Sequence, residues 1–304
     1  MTESTREILD RFQVRKTGAQ KSAFIEYVRE LVEKWGYSCR VESGSFGAKN
    51  IVVGDVSRAK IVYGAHYDTA PVLPFPNFIT PKNFAVYLLY NFVIILAIVA
   101  ISALVGGVCG VFSLSGGIAT LAVRITYVLL LLLLLVGPAN KHTANDNTSG
   151  VTLLIDIMRE LPQDKRDEVA FVFFDLEEAG LIGSSAFEKA HRSQMKDKLL
   201  VNFDCVSDGD HILIITRKGA RRWNETLAKA FPSSDGFAVE VVDKGVFYPS
   251  DQARFNCGVG VAALNSTKGG LLYMNRIHTH RDVIYNEKNI EFLKNGALKL
   301  TELL

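Results

Sequence analysis

Paired cysteines, a charge excess of either sign, repeats and a signal-like leader are all missing from these 304 residues, and each absence removes a class of reading. Cys39, Cys109, Cys205 and Cys257 have no framework spacing, which excludes a disulfide-stapled scaffold and agrees with a reducing compartment. Lys and Arg number 34 against 32 Asp and Glu, and the charges are mostly interspersed. That balance makes no electrostatic case for nucleic acid and reads as a solvated surface. No internal period is present, and no low-complexity linker apart from a run of leucine. Met1-Thr2-Glu3-Ser4-Thr5-Arg6-Glu7 is polar and does not read as a signal peptide. The sharpest absence is local: from Asn83 to Val123 there is no charged residue at all.

Within that stretch, residues 84–105 are long enough to cross the hydrocarbon core of a bilayer as a helix, which takes about 20 apolar residues. A second apolar stretch covers residues 118–136 and includes an unbroken run of leucine at 129–135. Gly106-Gly107 and Ser113-Leu114-Ser115-Gly116-Gly117 lie between the two and read as a turn. Helices apolar on all sides need burial on every side or lipid around them. The simpler expectation is a two-helix transmembrane hairpin at 83–138, with the lipid bilayer as its partner. Arg124 lies near the turn, where its long side chain can reach the interface. Lys82 and Lys141 flank the hairpin at its other end, so the positive-inside rule places the remainder of the chain in the cytoplasm.

That remainder, 1–82 and 139–304, has ample length for one α/β domain. Buried strands are expected at 61–65, 169–174 and 199–203, with others at 50–53, 211–215, 239–242 and 258–264. Phe24, Tyr27, Val28, Leu31, Val32 and Trp35 fall at helical spacing and form one core-facing stripe over 22–35. Further helices are expected at 150–161, 184–190, 224–230 and 287–303.

Polar fragments gather just beyond the buried strands. His66-Tyr67-Asp68 ends the first, Glu177-Glu178 follows the second and Asp204 closes the third, while Asp146-Asn147 and His278-Thr279 stand in loops. Such a collection points to a site along one edge of an α/β sheet. Imidazoles and carboxylates are borderline-to-hard ligands that suit zinc, and also manganese or cobalt. Each fragment alone has an ordinary reading: a polar strand end, a helix start favouring acidic residues, a loop with an N-cap. Five of them in this order are better explained together, as the ligand inventory of a two-metal hydrolase.

The order and spacing resemble the co-catalytic zinc aminopeptidases of clan MH, of the bacterial leucyl aminopeptidase and aminopeptidase Y type. The resemblance rests on His-Tyr-Asp-Thr at 66–69, Asp-Asn-Thr-Ser-Gly at 146–150, Glu-Glu-Ala-Gly-Leu-Ile-Gly-Ser at 177–184, Asn-Phe-Asp at 202–204 and His-Thr-His-Arg-Asp at 278–282. It implies a zinc exopeptidase fold with a mixed central β-sheet flanked by helices, a peptide substrate, and two divalent ions, zinc first. By the same resemblance His66 and Asp204 would bind one ion, Glu178 and His278 the other, and Asp146 would bridge them. Glu177 would be left free as general base, because a shared water of lowered pKa needs a proton acceptor that is not itself a ligand. Asp68 would accept the second N–H of His66 and fix its tautomer. His278 rather than His280 fits the pattern His-Thr-x-x-Asp, which Asp282 closes. Positions 69–145 are far longer than the loop the family carries there, so the hairpin is built into the rim of the site.

Other residues carry weaker claims. His142 reads as a surface loop residue, His191 and His211 as structural, and Cys205 as strand packing. Ser250-Asp251-Gln252 resembles a loop near the substrate that usually reads Ser-Asp-His, which leaves the role of Gln252 open. The same ligand set occurs in carboxypeptidases and aminoacylases, and a one-zinc version in glutaminyl cyclases, so the reading is an exopeptidase with an aminopeptidase preferred. A receptor on this scaffold would have lost ligands or the base, and none is missing here.

Overall fold

The computed structural model describes residues 1–234 and 236–304. Its helices are α1 (Glu3–Arg11), α2 (Gly18–Lys34), α3 (Phe84–Val111), α4 (Gly116–Val136), α5 (Gly150–Glu160), α6 (Ile182–Ala190), α7 (Arg192–Met195), α8 (Asn224–Ala230) and α9 (Glu287–Leu303). Its strands are β1 (Cys39–Ser43), β2 (Lys49–Val53), β3 (Ile61–His66), β4 (Val169–Phe174), β5 (Leu199–Phe203), β6 (His211–Thr216), β7 (Ala238–Val242), β8 (Gly258–Ser266) and β9 (Leu272–Tyr273).

The strands join in one mixed sheet, in the order β1-β2-β4-β3-β5-β8-β6-β7, with β9 paired to β8. At its centre β4, β3, β5 and β8 run parallel, as their unbroken apolar runs require when both faces are covered. Side chains alternate between the faces. Ile61, Tyr63 and Ala65 join one core with Phe24, Val28, Leu154, Leu293 and Leu300, while Val62 joins another with Phe174, Phe187 and Phe255. Helices therefore flank the sheet, and the carboxyl ends of β3, β4 and β5 open on one edge.

Most element boundaries fall within a few residues of the pattern-based reading. Helix α2 begins at Gly18 rather than residue 22 because Thr17 and Gln20 form a reciprocal capping box ahead of the apolar stripe. Helix α1 and edge strand β1 carry too few apolar residues for periodicity to find: α1 buries only Ile8 among its large apolar side chains, and β1 is nowhere fully buried.

The charge-poor stretch forms two helices of 28 and 21 residues, each long and apolar enough to cross a membrane. At about 1.5 Å per residue both exceed the roughly 30 Å of a hydrocarbon core. Only Ile98 and Ser102 are buried in α3, and no residue is buried in α4, so these are not core helices hidden inside the protein. One expectation needs correction. Gly106-Gly107 do not turn the chain; α3 runs through them, and a Cβ at Gly106 would meet Val123 Cγ2 at 2.6 Å. That glycine serves close helix approach. The turn lies at Ser113, with φ +53°, and Ser115, whose hydroxyl accepts the N–H of Ile118 to cap α4.

The stem of this insertion is paired. Val72 N–H donates to Pro138 O at 2.8 Å and Asn140 N–H to Ala70 O at 2.9 Å. The segment before α3 is also tied to the sheet-bearing part, where Ile79 and Met274 exchange backbone bonds of 2.9 and 3.0 Å and Leu73 N–H donates to His278 O at 2.7 Å.

Candidate metal centre

The five sequence fragments converge at the carboxyl edge of the parallel strands. His66 is the last residue of β3 and Asp204 directly follows β5, while Glu177 and Glu178 lie just past β4. Asp146 sits in the wide turn Ala144–Ser149 ahead of α5, and His278 in the loop leading toward α9.

Asp146 stands between the two imidazoles. Its Oδ1 lies 3.2 Å from His66 Nε2 and its Oδ2 lies 2.9 Å from His278 Nε2. Asp204 Oδ1 approaches His66 Nε2 to 3.5 Å, and Glu178 Oε1 approaches His278 Nε2 to 3.3 Å. Two trios result, His66-Asp146-Asp204 and Asp146-Glu178-His278, each with its donor atoms within 4.8 Å of one another. Glu177 meets the same limit in a third group with His66 and Glu178. All six residues line one cleft of about 260 Å³, together with Asn77, Ile79, Tyr87, Phe247 and Ile277.

The surrounding fold over-determines these positions. Asp282, 1% exposed, accepts the backbone N–H groups of Asn145 at 2.7 Å and Asp146 at 3.0 Å. Asn147 Oδ1 accepts from Gly150 and Cys205, and its amide donates to Phe203 O at 2.9 Å. Gly150 has no substitute here, because a Cβ would sit 2.4 Å from Phe203 O. Leu176, Cys205 and His278 all hold φ between +54° and +58°, a region costing non-glycine residues of order 1–3 kcal/mol each. Strain concentrated beside the cluster fits a functional centre.

Asp68 stands beside His66. Its Oδ1 lies 3.5 Å from His66 Nδ1, too long for an ordinary N–H···O bond, and that nitrogen has no other partner. Instead Asp68 accepts the backbone N–H groups of Glu177 at 2.9 Å and Glu178 at 3.2 Å, and so fixes the turn that presents both glutamates.

The electrostatics identify what this donor set fits. Burial pushes the Glu177 carboxyl well above its ordinary range, with Glu178, Asp251 and Asp204 adding to the push against His66. Burial likewise raises Glu178, and it lifts Asp251 to about 7. Burial disfavours protonation of His66, but Asp146, Asp204 and Asp68 outweigh it and carry its pKa well above the usual value. His278 shows the same balance against Glu178 and Asp146. Burial also opposes ionisation of Asp146, yet His278 and His66 hold it below the carboxylate range. Asp68, Asp146, Glu177, Glu178 and Asp204 thus crowd around two imidazoles, and the buried Glu178 Oε1, 3.3 Å from His278 Nε2, makes no hydrogen bond among the described residues. Divalent cations are what such a set accommodates.

Sequence reasoning missed Arg15. Fully buried, it donates to Tyr67 O, Phe12 O and Thr148 Oγ1, and burial lowers its pKa to about 10 against the attraction of Asp68 and Asp146. It places one cation behind the cluster, and its polar local context gave no pattern that could have flagged it. The four remaining histidines lie outside the cluster: His142 and His280 are exposed, His191 pairs with Glu42 at 2.9 Å, and His211 lies 3.6 Å from Glu240. Cys205 is buried and its thiol donates to Asp204 Oδ1 at 3.2 Å. Gln252 is buried as well, accepting from Asn202 at 3.2 Å and donating to Tyr248 O at 2.9 Å, so both ends of its amide are spent inside the protein.

The family model for peptidase family M28 matches residues 129–301, which include Asp146, Glu177, Glu178, Asp204 and His278. No curated protein matches the chain. Among solved structures, the LapA aminopeptidase of Legionella pneumophila is similar over 99% of this chain and 67% of its own, at 15% identity and a TM-score of 0.57. The glutaminyl cyclase of Porphyromonas gingivalis is similar over 98% of this chain and 95% of its own, at 14% identity and a TM-score of 0.60. That of Fimbriiglobus ruber covers 99% and 93%, at 13% identity and 0.55. At these identities the likeness is one of fold.

Proposed function

The chain belongs to peptidase family M28, a metallopeptidase assignment from which we propose that it is a membrane-anchored aminopeptidase working with two zinc ions. The observation that carries this reading is the sharing of Asp146: two three-residue donor groups meet on its two oxygens. His66 and Asp204 would hold one ion, Glu178 and His278 the other, with Asp146 between them. When bound, the pair supplies Lewis acidity toward a scissile carbonyl and lowers the pKa of the attacking water.

Glu177 would serve as the general base, accepting a proton from an attacking water and returning it to the leaving amine. Its carboxylate lies outside the two groups that share Asp146, while its backbone is held by Asp68, so its position does not depend on ligation. The cleft, at about 260 Å³, is smaller than the roughly 300–1,000 Å³ of drug-sized pockets and suits one terminal residue with the bond beside it. Residues 1–82 and 139–304 form the catalytic domain, and 83–138 the hairpin that fixes it to a bilayer. Lys82 and Lys141 against the single Arg124 favour a cytoplasmic catalytic domain.

The test is hydrolysis of free and N-blocked peptides by the detergent-purified protein, with zinc added or chelated, beside Glu177→Gln. The expected result is zinc-dependent release of N-terminal residues, with kcat reduced by about 10²–10⁴ in the variant at unchanged zinc content. Cleavage of blocked peptides alone would transfer the site to carboxypeptidase or acylase chemistry. Cyclisation of an N-terminal glutamine without hydrolysis would transfer it to the cyclase class.

A further inference from the structure

Helix α3 does not stop at the rim of the cleft; its first turn forms part of the wall. Tyr87 lines the same cleft as the six residues of the cluster. Its ring packs on Phe247 at a centroid distance of 5.6 Å, and Phe247 packs on Phe84 at 5.1 Å. Phe247 N–H donates to Pro81 O at 2.8 Å, and the paired stem ties Ile79 to Met274 and Leu73 to His278. The start of the hairpin and one side of the cleft are therefore a single braced unit.

The chemistry of that side is uniform. Every charged residue lining the cleft belongs to the cluster, and the rest of the lining, with Ile79, Tyr87, Phe247 and Ile277, is uncharged. Phe247 remains 42% exposed, so its apolar face is available to a ligand rather than spent in the core. An acidic side chain placed here would lose its hydration beside four carboxylates, whereas an apolar one gains by leaving water.

We propose that the hairpin is a working part of the substrate site: Tyr87 of α3, with Phe247, forms a subsite for the apolar terminal side chain of a peptide presented at the membrane surface. This rests on the aminopeptidase reading and deepens it, because the segment that anchors the enzyme then also selects what it cleaves. Tyr87 acts on specificity and Glu177 on the chemical step, so their losses differ in kind.

The experiment uses the full chain in zinc-supplemented liposomes, with leucyl, phenylalanyl, glycyl and lysyl anilides as substrates for the parent, Tyr87→Ala, Phe247→Ala and Tyr87→Phe. The parent is expected to favour leucyl over glycyl substrate by at least about tenfold in kcat/KM, the low end of what one buried methylene contributes. That ratio falls toward one in the two alanine variants and persists in Tyr87→Phe. An unchanged ratio in both alanine variants overturns the proposal. Calorimetry of L-leucine and glycine binding supplies a readout free of turnover. A leucine preference lost on truncating Tyr87 supports the subsite, and no preference in the parent overturns it. A parent that binds leucine selectively yet cleaves nothing would sink the peptidase reading and leave the apolar subsite standing.

Discussion

Asp282 has no place in either donor trio, yet its truncation should injure the centre more than most substitutions at a distance. The carboxylate accepts two backbone N–H groups, at 2.7 and 3.0 Å, from Asn145 and from Asp146 itself. Burial, with Asp146 adding to it, raises the Asp282 pKa to about 8, against the two backbone donors that favour its charged form. Asp282→Ala leaves both donors buried and unmatched. An orphaned buried donor costs about 1–3 kcal/mol, which gives about 2–6 kcal/mol for the pair. Against the roughly 5–15 kcal/mol of a typical domain, the variant is weakened but still folds. Asp282→Asn keeps one acceptor oxygen and should cost about half as much. The turn carrying Asp146 then loses its register, and zinc affinity should fall by about 10–100-fold, the usual effect of removing a group that orients a ligand. Thermal melting in detergent and zinc competition against a chelator read the two effects separately. The reasoning is refuted if Asp282→Ala melts with the parent, or if it is destabilised while binding zinc as tightly as before.

Two further outcomes follow from the geometry. His278→Ala removes one donor from the Asp146-Glu178-His278 trio and leaves His66-Asp146-Asp204 intact, so bound zinc measured by mass spectrometry should fall from two ions to one; retention of both would break the division of ligands. Away from the centre, the hydrogen bond with Glu42 raises the His191 pKa above 6.5 against burial, and His191 with Arg40 lowers Glu42 below 4.5 against burial. The histidine contribution is complete below its unfolded pKa and fades as pH rises through the raised folded value, while the glutamate contribution is lost as pH falls through its lowered one. Glu42→Gln should therefore move the His191 titration downward by NMR and remove a stability increment that is largest between about pH 4.5 and 6.5; an unmoved titration would refute the pairing.

What was legible in the sequence was whatever has a period or a ligand chemistry. Strands β3, β4 and β5 are unbroken apolar runs because both faces of the sheet are covered, and a polar residue ending such a run is visible by contrast. The turn Ala144–Ser149, the strained φ of His278 and the pairing of Asp282 with Asn145 and Asp146 have no period, since loop backbone is shaped by partners distant in sequence. Arg15 shows the same limit, for a buried arginine is stabilised by carbonyls at Phe12 and Tyr67 that no composition reveals.

The hairpin was visible as a missing charge, and its integration with the site was not. Two glycines at 106–107 read locally as a turn, but packing against Val123 gives Gly106 another use, because contact between helices decides where a glycine is needed. Likewise Tyr87 reads as one aromatic at the start of a span, where aromatics belong at the interface. The stem bonds of Leu73 to His278 and Ile79 to Met274, with Phe247 N–H on Pro81 O, bring that first turn over the carboxylate and histidine cluster. An anchor attached by a flexible tether would leave catalysis indifferent to its sequence. Here the stem reaches the backbone of a candidate ligand, so changes in the first turn of α3 should be felt at the centre itself.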